Sequence, residues 1–222
     1  MRSTGTSLVK LERSALADTL EQIGPNQPTL CTGWRTQDLL AHLVVRERRP
    51  DAAAGILIPF LAGYRSKIEH HFVEKDFNSL IGMFRSGPSS LSPFAIPAVD
   101  NLANLVEFVV HHEDVRRGGT DFAPRTNVEP LQEAILNRLV RMSSLFLRKA
   151  GMGVILQTPD KKQHWLKRGP SPIEMLAEPI EALLYLTGRS NHYQADKAKI
   201  VNVEFDGAPA ALAAFGRIKF GL

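Results

Sequence analysis

The segment Asn101-Leu-Ala-Asn-Leu-Val-Glu107-Phe-Val-Val-His111-His112-Glu113-Asp114-Val-Arg-Arg117 organises the reading of the whole chain. Leu102, Leu105, Val106, Val109 and Val110 recur at the three- and four-residue steps that predict a helix with an apolar stripe turned to a core. Glu107 and His111 fall one turn apart, so their side chains stack on one face and can grip a single metal ion. By spacing alone a Glu-x-x-x-His pair is common, and on an exposed helix it contributes about 0.2–0.5 kcal/mol. The setting of Glu107 among Leu105, Val106, Phe108 and Val109 argues for more, since a carboxylate beside apolar surface is costly unless a positive group meets it. Two ligands are too few for a stable site, and His42 is the candidate third.

Working toward the N-terminus, Leu8, Leu11, Ala15, Leu16, Leu20 and Ile23 trace a helical stripe ended by Gly24-Pro25. A second helix is expected from Thr36 as its cap, with Asp38 in the first turn and Leu39, Leu40, Leu43 and Val44 on the apolar side. His42 sits at the buried edge of that stripe. Alone, such a histidine is more often a satisfied core residue than a ligand; the Glu107–His111 pair changes that balance. Toward the C-terminus, Leu131, Ile135, Leu139, Met142, Leu145 and Phe146 give a further long helix closing near Ala150-Gly151. Four stripes predict a four-helix bundle over residues 1–151, and a metal site between facing helices is a recurrent feature of such bundles.

Between Pro50 and Pro97 the pattern is less regular. Ile56, Leu57, Ile58, Phe60 and Leu61 form an apolar patch, Tyr64–Val73 and Phe77–Phe84 read as helices, and Ser86–Pro93 reads as a loop. His70 and His71 splay by about 100° on a helix and cannot both face one ion. Beyond Gly153 the texture changes. Val154–Thr158 and Gln163–Lys167 read as a hairpin turned at Pro159-Asp160, Pro179–Thr187 as a helix closed by Gly188, Ile200–Phe205 as a strand and Ala210–Phe215 as a last helix. The expected class is therefore α+β, with a small α+β domain over residues 152–222.

Composition narrows the function. The 44% hydrophobic and 23% charged content belongs to an ordinary globular chain, and a net charge of +4 is too mild and too scattered to indicate nucleic-acid binding. No run approaches the roughly 18 apolar residues of a membrane helix, and Met1–Lys10 lacks a signal-peptide core. Cys31 is the only cysteine, which excludes an internal disulfide and suits a reducing, cytoplasmic location; it reads as a small buried or half-buried hydrophobe.

His42, Glu107 and His111 offer two imidazole nitrogens and one carboxylate oxygen, a set suited to zinc, nickel or ferrous iron. A structural zinc is normally closed by four side chains, so three ligands imply an exchangeable position for water or a substrate atom. His112, Glu113 and Asp114 are candidates for orienting a ligand from outside the first set.

Gly33-Trp34-Arg35-Thr36-Gln37-Asp38-Leu39-Leu40-Ala41-His42-Leu43, followed by Glu107–Arg117, resembles the DinB-like superfamily, and within it the actinobacterial mycothiol-dependent maleylpyruvate isomerase type. The family's Trp-x-x-x-Asp-Leu-x-x-His and later Glu-x-x-x-His are both matched. The likeness extends to Leu184–Arg189 and Val203–Gly207 in the tail. It implies a DinB-like four-helix bundle in which His42, Glu107 and His111 bind a divalent metal, usually zinc, with mycothiol as a possible co-substrate. The function expected first is a metal-dependent thiol S-transferase or isomerase, its partners a small-molecule thiol and an electrophile, in a monomer or homodimer. Arg189 is the candidate for gripping a substrate carboxylate, with a surface salt bridge as the plainer alternative. A metal-dependent hydrolase and a non-enzymatic metal- or ligand-binding module stay open.

Overall fold

In the computed structural model of the chain, residues 7–49, 51, 62–119, 122–123, 125–189 and 200–221 are described. They divide into two compact units, Met1–Phe122 and Ala123–Leu222. The texture of the sequence places that division after residue 151; packing places it after Phe122.

The first unit holds α1 (Leu8–Ile23), α2 (Thr36–Arg48), α3 (Ala62–Val73), α4 (Phe77–Arg85) and, after a 3-10 turn at Pro93–Ala95, α5 (Pro97–Arg116). α1 lies against α5 and α4, while α2 lies against α3 and α4. The core comes mostly from the expected stripes: Leu16 and Leu20, Leu39, Leu40 and Leu43, and Leu105 and Val109 are fully or almost fully buried, joined by Leu80 and Phe84 of α4 and by Phe108, which the stripe of α5 leaves out in favour of the half-buried Val106. Phe84 and Phe108 meet edge to face at 5.3 Å. Each such side chain removed from water contributes about 1.5–3 kcal/mol. Leu11 departs from the expected stripe and is 51% exposed, because the inner face of α1 carries Glu12 and Arg13 instead. Both are partnered: Arg13 reaches Glu47 at 2.6 Å, and Glu12 Oε1 lies 2.8 Å from His112 Nδ1.

Local chemistry sets the helix ends that matter for the site. Asp38, rather than Thr36, caps α2, its Oδ2 accepting the Arg35 backbone N–H at 2.8 Å. Thr36 is already helical, and its hydroxyl donates to the Gly24 carbonyl at 2.6 Å. Gln37 donates from Nε2 to the Val73 and Lys75 carbonyls at 2.7 and 2.9 Å, fastening the end of α3 to the start of α2. At the end of α5, Leu30 N–H donates to the Asp114 carbonyl at 3.0 Å. A Cβ on Gly118 would overlap the Pro28 carbonyl, so the close approach of this loop requires glycine there. The apolar patch read at 56–61 lies outside the described residues.

The second unit holds α6 (Glu129–Phe146), β1 (Val154–Gln157), β2 (Gln163–Lys167), β3 (Ile173–Leu176), α7 (Pro179–Leu186), β4 (Glu204–Asp206) and α8 (Pro209–Gly216). The helix read as the last of a four-helix bundle is α6, and within its unit it packs on β2 and α7. Ser143 Oγ donates to the Leu166 carbonyl at 2.6 Å, and the Ile180 N–H donates to Gln132 Oε1 at 2.9 Å. The sheet runs β2-β1-β3-β4, with β1 antiparallel to β2 and parallel to β3, and β3 antiparallel to β4. The expected hairpin and α+β class are present. β3 has no counterpart in the sequence reading, and of the expected last strand Ile200–Phe205 only Glu204 and Phe205 pair, in a strand that runs on to Asp206. Among the described residues no helix is long and apolar enough to cross a membrane.

Candidate metal centre

α2 and α5 carry His42, Glu107 and His111 to one point in the first unit. Glu107 Oε1 lies 3.5 Å from His42 Nε2 and 3.3 Å from His111 Nε2. One ligand atom from each residue lies within 4.8 Å of the others. With metal–ligand bonds of about 2.0–2.1 Å, tetrahedral geometry sets nitrogen and oxygen donors about 3.3 Å apart. The two carboxylate–imidazole spacings match that edge.

The far side of each imidazole is also engaged. His42 Nδ1 is 2.9 Å from Glu69 Oε1, and His111 Nδ1 is 3.0 Å from Asp114 Oδ2. An ionised carboxylate only accepts, so each Nδ1 carries the proton and each Nε2 is turned toward Glu107. This is how metal-binding histidines are usually oriented and made more basic.

Burial alone would push the Glu107 carboxyl up, but hydrogen bonds from His111 and His42 and the charges of His111 and Arg46 outweigh it and hold it well below the usual range. For His111 burial opposes the charged form, yet the contacts to Asp114, Cys31 and Glu107 carry its pKa well above the ordinary histidine value. The bound proton thus occupies the place that a cation would take. Arg46 Nε stands 3.4 Å from Glu107 Oε1. Its guanidinium is fixed by Asn104 Oδ1, by the Ala103 carbonyl at 3.3 Å and by the Phe94 ring at 4.8 Å. Trp34 lies beside His42, ring centroids 5.2 Å apart.

Donor type, spacing and outer carboxylates all fit a divalent cation of the zinc kind. Of the three residues after His111, Asp114 alone orients a donor. His112 turns to α1, meeting Glu12 at 2.8 Å and Thr19 Oγ1 at 2.9 Å, and Glu113 binds Arg116 and Arg117 at 2.9 and 2.6 Å. His70 stays exposed, 3.6 Å from Glu74, and neither His70 nor His71 joins a donor cluster among the described residues. Arg189 belongs to the second unit, where Nη1 donates to the Thr187 carbonyl at 2.9 Å. Cys31 is more than a packing residue, with Sγ 3.2 Å from Asp114 Oδ2. Glu69 and Arg46 were missed. Arg46 follows His42 by one helical turn, a spacing that marks it; nothing in the spacing points to Glu69.

No protein-family model and no curated protein matches the chain. Two solved structures do. A histidine-to-alanine variant of the mycothiol-dependent maleylpyruvate isomerase shares 13% identity over 89% of this chain and 90% of that one, with a TM-score of 0.51. The mycothiol-dependent maleylpyruvate isomerase itself gives 14% identity over the same shares and a TM-score of 0.49. The first of these likenesses is one of fold: an α+β chain of helices with a small sheet.

Proposed function

We propose that His42, Glu107 and His111 hold a divalent cation, zinc before nickel or ferrous iron, and that the chain is a thiol-dependent S-transferase or isomerase acting on a small electrophile. The observation that carries this is the convergence of two Nε2 atoms on Glu107 Oε1, each histidine backed by its own carboxylate. The fold shared with a mycothiol-dependent isomerase supports mycothiol as the thiol. In this reading the helices form a DinB-like bundle with a small second domain.

A cation in this set supplies a Lewis acid that keeps a sulfur in its thiolate form near neutral pH. The chain's own residues do the rest. Glu69 and Asp114 hold both imidazoles in the ligating tautomer, Arg46 adds a positive charge beside Glu107, and Trp34 packs against the His42 ring. Three donors leave room for an exchangeable group. Arg189 is proposed to meet a substrate carboxylate through its planar fork.

The test is turnover of mycothiol with a model electrophile by zinc-loaded protein. His42→Ala should bring the rate to the uncatalysed background and Arg189→Lys should raise KM before it lowers kcat. Equal rates for wild type and His42→Ala would overturn the reading. Ester cleavage that needs the metal but no thiol would mark a hydrolase instead.

A further inference from the structure

His111 has two ring nitrogens, and a second group of donors waits on the one the first set does not use. Cys31 Sγ lies 3.8 Å from His111 Nδ1 and 3.2 Å from Asp114 Oδ2, and Nδ1 and Oδ2 are 3.0 Å apart. A tetrahedral ion with a sulfur bond of about 2.3 Å and N and O bonds of about 2.0–2.1 Å separates its donors by about 3.3–3.6 Å. The three measured edges bracket that range.

The loop bearing the thiol is built onto α5. Thr29 Oγ1 accepts the Cys31 N–H at 3.1 Å and donates to the Trp34 carbonyl at 2.9 Å, and the Trp34 N–H returns to the Cys31 carbonyl at 2.9 Å. Asp114 is fully buried and Cys31 half-buried, so an arriving ion reaches the sulfur first.

We infer that Cys31 Sγ, His111 Nδ1 and Asp114 form a second cation set, selective for soft divalent ions, that shares His111 with the first set and is filled only in its place. Thiolate favours soft metals, whereas the first set has no sulfur. A neutral imidazole has one free lone pair. Filling the first set needs the proton on Nδ1, where Asp114 accepts it; filling the second needs it on Nε2, where Glu107 accepts it. Binding at the second set releases the Cys31 proton to solvent. The exclusion of one set by the other rests on the proposed function, whereas the thiolate set itself stands without it.

Cadmium is the probe, titrated into the full chain. Because Cys31 is the only cysteine, any thiolate-to-cadmium charge-transfer absorption reports on it alone. His42→Ala should bind one Cd2+ and show that absorption. Adding Cys31→Ser should abolish it and weaken binding by more than roughly a hundredfold, beyond the ~10–100-fold that loss of an orienting partner gives. Wild type should take one Cd2+, not two. If His42→Ala does not fold, Glu107→Gln serves to disable the first set. No charge-transfer absorption in either variant, or two Cd2+ per wild-type chain, would overturn the inference. Cys31→Ser alone should still bind Cd2+ without the absorption; failure there would count against the first set instead.

Discussion

Glu69 and Asp114 lie outside the His42–Glu107–His111 set, yet they choose which nitrogen of each histidine faces Glu107. Glu69→Gln and Asp114→Asn should each weaken zinc binding by about 10–100-fold in a chelator competition, with the fold intact by circular dichroism. An unchanged affinity would mean the tautomers are set elsewhere. A separate cluster responds to pH. Glu47 is 1% exposed and accepts from Arg13 at 2.6 Å and Asn104 at 3.1 Å, yet burial still holds its carboxyl above the ordinary value despite Arg13. The folded state therefore keeps this proton more tightly than the unfolded one. That stability is full below the unfolded value and is lost as pH rises through the raised folded value. Urea unfolding from about pH 4 to about pH 8 should show Glu47→Gln gaining on wild type as pH rises, and a constant difference would refute this. At this scale the sequence is legible where partners share a helix: Glu107 with His111 follows from periodicity, while Asp114 stands among three candidates that spacing does not tell apart. Glu69 reaches His42 from α3, across residues that no spacing rule connects.

Among the elements, the contact of the 28–34 loop with the end of α5 is one that a single methyl group would break. Gly118→Ala should destabilise the protein by about 1–3 kcal/mol in urea unfolding and loosen the seat of Cys31, since the Pro28 carbonyl occupies the space a Cβ needs. A neutral effect would mean the loop moves freely. The helices were readable because their stripes and stops are local: Pro179 and Gly188 bracket α7, and Asp76 caps α4 by accepting the Ser79 N–H at 2.8 Å. β3 was not, because Ile173–Leu176 is too short to show a period and its pairing with β1 is parallel and non-local. The stripe of α6 announced a helix without saying what it faces. An apolar face is equally satisfied by helices or by a sheet, and only the partners decide.

For the molecule as a whole, the three donors, both outer carboxylates, Cys31 and Arg46 all fall within Met1–Phe122. A fragment of residues 1–122 should therefore fold and bind zinc with the affinity of the full chain, read by the same chelator competition. If it unfolds while residues 1–151 fold and bind, α6 completes the bundle as the sequence reading had it. One detail of α5 bears on how the centre behaves. His112 is anchored by Glu12 and Thr19 on α1, while Asn104 and the Ala103 carbonyl, two turns earlier, hold the Arg46 guanidinium of α2. The helix is thus pegged on both flanks and cannot swivel like a spindle, so capture of an ion is left to small side-chain adjustments, and the grip is ready-made as soon as the chain has folded.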